Sequence, residues 1–95
     1  MTQPSILTIA EYTVEQARLS TALKNLGFTR IVTADSADNA WTILKASDIG
    51  CVISAYEMRE MSGLALLKIL RKEERLGELP FFLTDRAFTK IKVIK

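Results

Sequence analysis

Residues 51–63 constrain this chain more than any other stretch. Cys51-Val52-Ile53 is an apolar run without polar alternation. It passes through Ser54 and Ala55 into a short polar loop that ends at Gly63, where an apolar helical pattern opens. Such a run suits a strand buried on both faces. In open α/β sheets, chemistry usually sits in the loops that leave the carboxyl ends of central strands. The residue at that point here is Ala55, which carries no functional group.

The rest of the chain repeats the same alternation. Ser5–Ala10 is a β-rich apolar run and reads as a first strand. Thr13 and Gln16 fit a capping box, with Thr13 as the N-cap. Leu19, Ala22, Leu23 and Leu26 follow at helical spacing until Gly27 stops the helix. Arg30–Ala34 reads as a second strand, and Asp35 and Ser36 start a second helix with Ala37, Ala40, Trp41 and Leu44 on its inner face. Asp48-Ile49-Gly50 turns the chain into the third strand. Ser62-Gly63 opens a third helix with the stripe Gly63, Leu66, Leu67 and Leu70. The mixed charges of Arg71–Arg75 read as a solvated face closed by Leu76-Gly77. Pro80–Thr84 reads as a fourth strand, because proline suits a strand's first position.

Four rounds of strand and helix imply an α/β fold: a doubly wound parallel sheet with helices on both faces. Ninety-five residues allow one domain, here 1–95. The composition, 48% hydrophobic and 25% charged, is that of a globular chain. Thirteen basic residues against eleven acidic ones leave a formal charge of +2, too small to point to nucleic acid or a membrane. The chain has no histidine, which removes His-based catalysis and His metal sites. Its one cysteine, Cys51, lies in an apolar run and reads as a small buried hydrophobe. No stretch has the length of a membrane span and the start lacks a signal-peptide pattern, so a cytoplasmic location is expected.

Several of these residues carry a resemblance. The order of elements, Leu26-Gly27-Phe28 closing the first helix, Val52-Ile53-Ser54, Met58 and Met61-Ser62-Gly63 in the loop, and Leu83-Thr84 ending the fourth strand all resemble a receiver domain. This is the CheY-like phosphoacceptor module of two-component response regulators. The resemblance covers essentially the whole chain and implies a flavodoxin/CheY-like sheet of about four strands in the order 2-1-3-4. In that family a fourth helix, a fifth strand and a fifth helix follow. This chain stops at Lys95, so the fifth strand and fifth helix are expected to be missing, with the switch aromatic and active-site lysine of that segment.

The resemblance fails at the reactive positions. The family's acidic pair, which binds magnesium, falls on Ala10 and Glu11, and the phosphoacceptor aspartate falls on Ala55. The proline that usually follows the loop methionine falls on Arg59. The hydroxyl that bonds the phosphoryl group is retained as Thr84. Phosphoryl transfer needs an oxygen nucleophile and cations to neutralise the moving charge. A methyl group supplies neither. Magnesium is usually held by one or two carboxylates plus waters and phosphate oxygens, and Glu11 is a single arm. Ser54 points to the opposite face of its strand from Ala55, and Glu57 reads as an ordinary loop carboxylate. No catalytic residue, metal or cofactor is therefore expected. With two carboxylates replaced by alanine, self-repulsion in the cleft falls, and the fold is expected to hold without metal in one state.

The tail is ambiguous. Ala87–Lys95 leans slightly to helix, although Lys90-Ile91-Lys92-Val93 alternates like a strand. Its basic residues Arg86, Lys90, Lys92 and Lys95 read as a solvated face. Without a fifth strand, Phe81, Phe82 and Leu83 would lie on an open sheet edge, a pairing hazard. Three covers are open to this edge: the tail folded back over it, a second copy paired with it, or another protein or further sequence. Homodimer formation comes first among these, and Phe81, Phe82, Leu83, Phe88, Ile91 and Ile94 are the candidate interface residues. The expected function is a phosphorylation-independent protein–protein interaction module in two-component-type signalling, acting on a protein partner or as a homodimer. The alternatives are a receiver phosphorylated at Glu11 or Glu57, a fragment of a longer regulator, and a DNA-associated protein using its basic tail.

Overall fold

The computed structural model describes residues 4–84 and 91–94, the last four by their backbone alone. Its elements in chain order are β1 (Ser5–Ile9), α1 (Thr13–Asn25), β2 (Ile31–Ala34), α2 (Ala37–Ala46), β3 (Ile49–Ala55), α3 (Gly63–Leu70), β4 (Phe81–Thr84) and β5 (Ile91–Ile94). The sheet order is β2-β1-β3-β4-β5. The first four strands are parallel and follow the expected order 2-1-3-4, with Ile9 opposite both Ala34 and Ser54, and Ala55 opposite Thr84. In-phase registers of this kind bring the carboxyl ends of β1, β3 and β4 to one edge of the sheet.

Alternation along each strand sends side chains to opposite faces, and each face has its own helices. Leu7, Ile9, Val52, Phe81 and Leu83 pack with Ala40 and Leu44 of α2 and with Leu66, Leu67 and Leu70 of α3. Ile6, Ala10 and Ile53 pack with Leu19 and Leu23 of α1 on the other face. The helix ends follow local chemistry. The Ser36 hydroxyl accepts from the Asn39 N–H at 3.0 Å, and the Ser62 hydroxyl accepts from the Ala65 N–H at 3.1 Å. Gly27, at φ 99°, takes the left-handed turn that ends α1.

Five expectations change. The lean to helix in the tail is wrong for Ile91–Ile94, which form β5; the alternation of β-branched residues was the better guide. A fifth strand is thus present, but it runs antiparallel to β4, with Phe81 opposite Ile94 and Thr84 opposite Ile91. It covers the edge of β4 that was expected to be open. Phe81 and Leu83 are buried in the core rather than presented at an edge, and Phe82 alone of the three is partly exposed. Phe88 and the basic residues Arg86, Lys90 and Lys95 lie outside the described residues, as does the start proposed for a helix near Ala87.

At α1, Thr13 is the first helical residue and Tyr12 the N-cap, without a side-chain cap bond. Gln16 instead donates to the Ala10 carbonyl at 2.8 Å, tying the helix to the end of β1. Finally, α3 stops at Leu70, and the arginines that follow are not merely solvated. Arg71 donates to the Gly77 and Leu79 carbonyls, and Arg75 donates to the Leu44 and Lys45 carbonyls at the end of α2. A guanidinium there satisfies carbonyls that a helix end leaves without partners.

Candidate functional site at the carboxyl edge of the sheet

The parallel registers bring Ala10, Glu11, Ala55 and Thr84 to the same edge. Ala10 and Ala55 are buried, and each presents only a methyl group. Ser54 is also buried, and its hydroxyl donates to the Ala55 carbonyl at 2.9 Å. It faces α3, away from the α1 face to which Ala55 belongs. Gly63 explains why α3 comes so close: an added Cβ would sit 2.5 Å from the Ala55 carbonyl oxygen and 2.9 Å from Ser54 Oγ. The Gly63 N–H also donates to the Tyr56 carbonyl at 2.8 Å, closing the β3–α3 loop.

Thr84 is 1% exposed, and its hydroxyl has no hydrogen-bond partner among the described residues. A buried hydroxyl left without a partner costs about 1–3 kcal/mol, so Thr84 contributes less stability than an apolar residue of its shape would.

Glu11 is the one carboxylate of the expected acidic pair, and both of its oxygens are engaged. Oε1 accepts from the Arg59 backbone N–H at 2.8 Å, and Oε2 accepts from Arg59 Nε at 3.0 Å. The Glu11 side chain is 12% exposed, whereas that of Arg59 is 79% exposed. The hydrogen bond and charge of Glu11 hold the Arg59 guanidinium above its ordinary range, with smaller contributions from Tyr12 and Glu60. Open depressions of ≈ 430 Å³ and ≈ 440 Å³ flank the pair. Glu15 and Glu57 line the first, Asp35 and Glu60 the second, and Glu11, Met58 and Arg59 belong to both.

The Glu11–Arg59 contact was not read from the sequence. Its one sequence signal was an arginine in a loop where the resemblance places a proline. Elsewhere, burial pushes the Cys51 thiol up from its ordinary range, in keeping with a small residue half-sunk in the α1 face. That face carries an apolar groove of ≈ 480 Å³, lined by Ile6, Leu23, Phe28, Cys51, Ile53 and Phe82 among others. No helix among the described residues is long and apolar enough to cross a membrane.

Comparison with known proteins agrees with this fold. The response regulator receiver domain pattern matches residues 6–92. The chain is similar to the chemotaxis protein CheY of Pseudomonas aeruginosa, at 26% identity over 90 residues that cover 95% of this chain and 73% of that protein. It is similar to chemotaxis protein CheY-3 of Vibrio cholerae at 28% identity, covering 95% of this chain and 69% of that protein. Among solved structures, a response regulator receiver protein from Pseudomonas putida superposes with a TM-score of 0.79 at 29% identity, covering 90% of this chain and 69% of that one. The chain therefore belongs to the response regulator receiver domain family and is a receiver domain of two-component signalling.

Proposed function

We propose that this receiver works without phosphorylation, as a protein–protein interaction module that acts by dimerisation or by binding a protein partner. One observation carries the reading. The strand end that the resemblance assigns to the phosphoacceptor is Ala55, a buried methyl group on β3. A methyl group has no lone pair with which to attack phosphorus. Ser54, the aliphatic hydroxyl next to it in sequence, is buried on the other face and already donates to a carbonyl.

The α1 face supports an association role. Its apolar groove is lined in part by Phe28, and Leu26, two residues earlier in the chain, is 75% exposed. An exposed apolar groove is the kind of surface that a protein partner covers. The covered edge of β4 removes the earlier argument for pairing through Phe81 and Leu83.

The test combines intact-mass spectrometry with sedimentation velocity. The protein is incubated with acetyl phosphate and magnesium for the first measurement, and with magnesium and beryllofluoride for the second. The expected result is no added phosphoryl mass and the same sedimentation profile with and without the additives. Phosphoryl mass that maps to Glu11 or Glu57 would replace this reading with that of a working switch.

A further inference from the structure

The cation site implied by the family does not fit the residues found here. Ala10 and Ala55 contribute methyl groups, and among the described residues no cluster of three or more histidine, cysteine, aspartate or glutamate side chains is arranged to hold a metal ion. Magnesium demands near-octahedral oxygen ligands and gives up its waters reluctantly. The one carboxylate left, Glu11, already spends both oxygens on Arg59.

We propose that Arg59 takes the cation's place: it is a covalently attached counter-charge that locks the β3–α3 loop onto the end of β1 and keeps divalent cations off Glu11. Three observations carry this inference. First, the contact uses the main chain as well as the side chain. A proline at position 59 would have no N–H to donate, so the arginine supplies both the 2.8 Å backbone bond and the 3.0 Å guanidinium bond. Together they join residues 48 positions apart in sequence.

Second, the burial is lopsided. Glu11 is the sunken partner and Arg59 the exposed one. A carboxylate drawn out of water needs a counter-charge, and guanidinium is a weakly hydrated cation with a fixed fork that matches carboxylate oxygens. Third, the charges that line the two flanking depressions are one-sided among the described residues. Glu15, Glu57, Asp35 and Glu60 line the flanking depressions, and Arg59 is the one cation among the described residues that lines them. With Arg59 removed, no cation among the described residues would line the depressions that Glu11 shares with Glu15, Asp35 and Glu60.

The inference rests on reading this edge as a former phosphoryl site, but it is tested separately. Manganese(II) chloride is the probe, and the readout is paramagnetic broadening of backbone amide signals in the intact chain. Broadening at Ala10–Tyr12 and Tyr56–Met58 is followed in wild type, Arg59→Ala and Arg59→Ala/Glu11→Gln. Because the Arg59 side chain is largely exposed, its truncation is expected to leave the amide spectrum folded. Wild type should show no selective broadening at these amides. Arg59→Ala should show it, with an apparent affinity at least about ten-fold tighter, and the double variant should lose it.

Arg59→Pro, which removes the backbone donor as well, should bind at least as tightly as Arg59→Ala. Equal broadening in wild type and Arg59→Ala, or none in either, overturns the proposal. The two readings fail differently. A wild type that excludes manganese yet gains phosphoryl mass refutes the functional reading alone. One that binds manganese at Glu11 and gains no mass refutes this inference alone.

Discussion

The two faces of the sheet differ in how fully they are covered. Among the described residues, thirteen buried side chains form the cluster under α2 and α3, whereas five form the cluster under α1. The first face is closed by helices whose stripes mesh with Leu7, Ile9, Val52 and Phe81. Among the described residues the second is covered by α1 alone, and Cys51 and Phe82 border an open groove. The difference separates a closed apolar layer from one that leaves apolar surface open. Apolar burial scales with area removed from water, so the α2/α3 face supplies most of the stability. The α1 face keeps apolar surface in contact with solvent.

The comparison is broken most directly at two adjacent phenylalanines. Phe81 is fully buried on the α2/α3 face, and Phe82 is partly exposed on the other. Phe81→Ala should lower stability by about 3–5 kcal/mol, a large part of the total for a domain of this size. Phe82→Ala should cost about 1 kcal/mol or less, since it is only partly buried. Urea denaturation followed by the far-ultraviolet signal measures both. Equal losses would mean that the α1 face is as well covered as the other.

Gly63→Ala tests how tightly α3 is seated. The new methyl would meet the Ala55 carbonyl oxygen, a Leu83 methyl at 2.6 Å and Ser54 Oγ. A loss of about 1–3 kcal/mol is expected from overpacking, read as a melting-temperature drop of roughly 4–8 °C per kcal/mol. An unchanged melting temperature would show that the helix start can shift away from β3.

Two buried hydroxyls sharpen the contrast at smaller scale. Ser54, on the α3 side, donates to a carbonyl, while Thr84, on the α1 side, has no partner among the described residues. Ser54→Ala should therefore destabilise by about 1 kcal/mol, and Thr84→Val should stabilise by about the same amount. If Thr84→Val destabilises, the hydroxyl is satisfied after all.

The smallest effect concerns Cys51. Burial raises its pKa above the ordinary 9.0, so the folded state holds the thiol proton more tightly than the unfolded chain does. The stability from this group is complete below pH 9 and falls as pH rises through the raised value. Cys51→Ala should flatten that alkaline limb in thermal melts taken between pH 8 and 10.5.

Much of the architecture was legible because it is written in short-range patterns. The stripe Gly63, Leu66, Leu67 and Leu70 is the buried face of α3, and Ser36 and Ser62 cap the helices they precede. These signals need only neighbours three or four residues away. Thr13 misled because a capping box is only an option: Gln16 found a better acceptor in Ala10, beyond the helix. The tail misled because nine residues carry both a helical and an alternating pattern, and pairing with β4 selects between them.

By itself, the sequence determined the order of elements through β4, the parallel pairing of those four strands and the absence of a nucleophilic side chain at Ala55, since residue type and periodicity are local properties. Tertiary structure alone decided the Glu11–Arg59 pair, the antiparallel β5 over β4, and the arginines that close α2 and the loop before β4. Each of these joins groups distant in sequence or selects between strand and helix. Contacts of that kind depend on where folding brings backbone donors and acceptors, which no local pattern records.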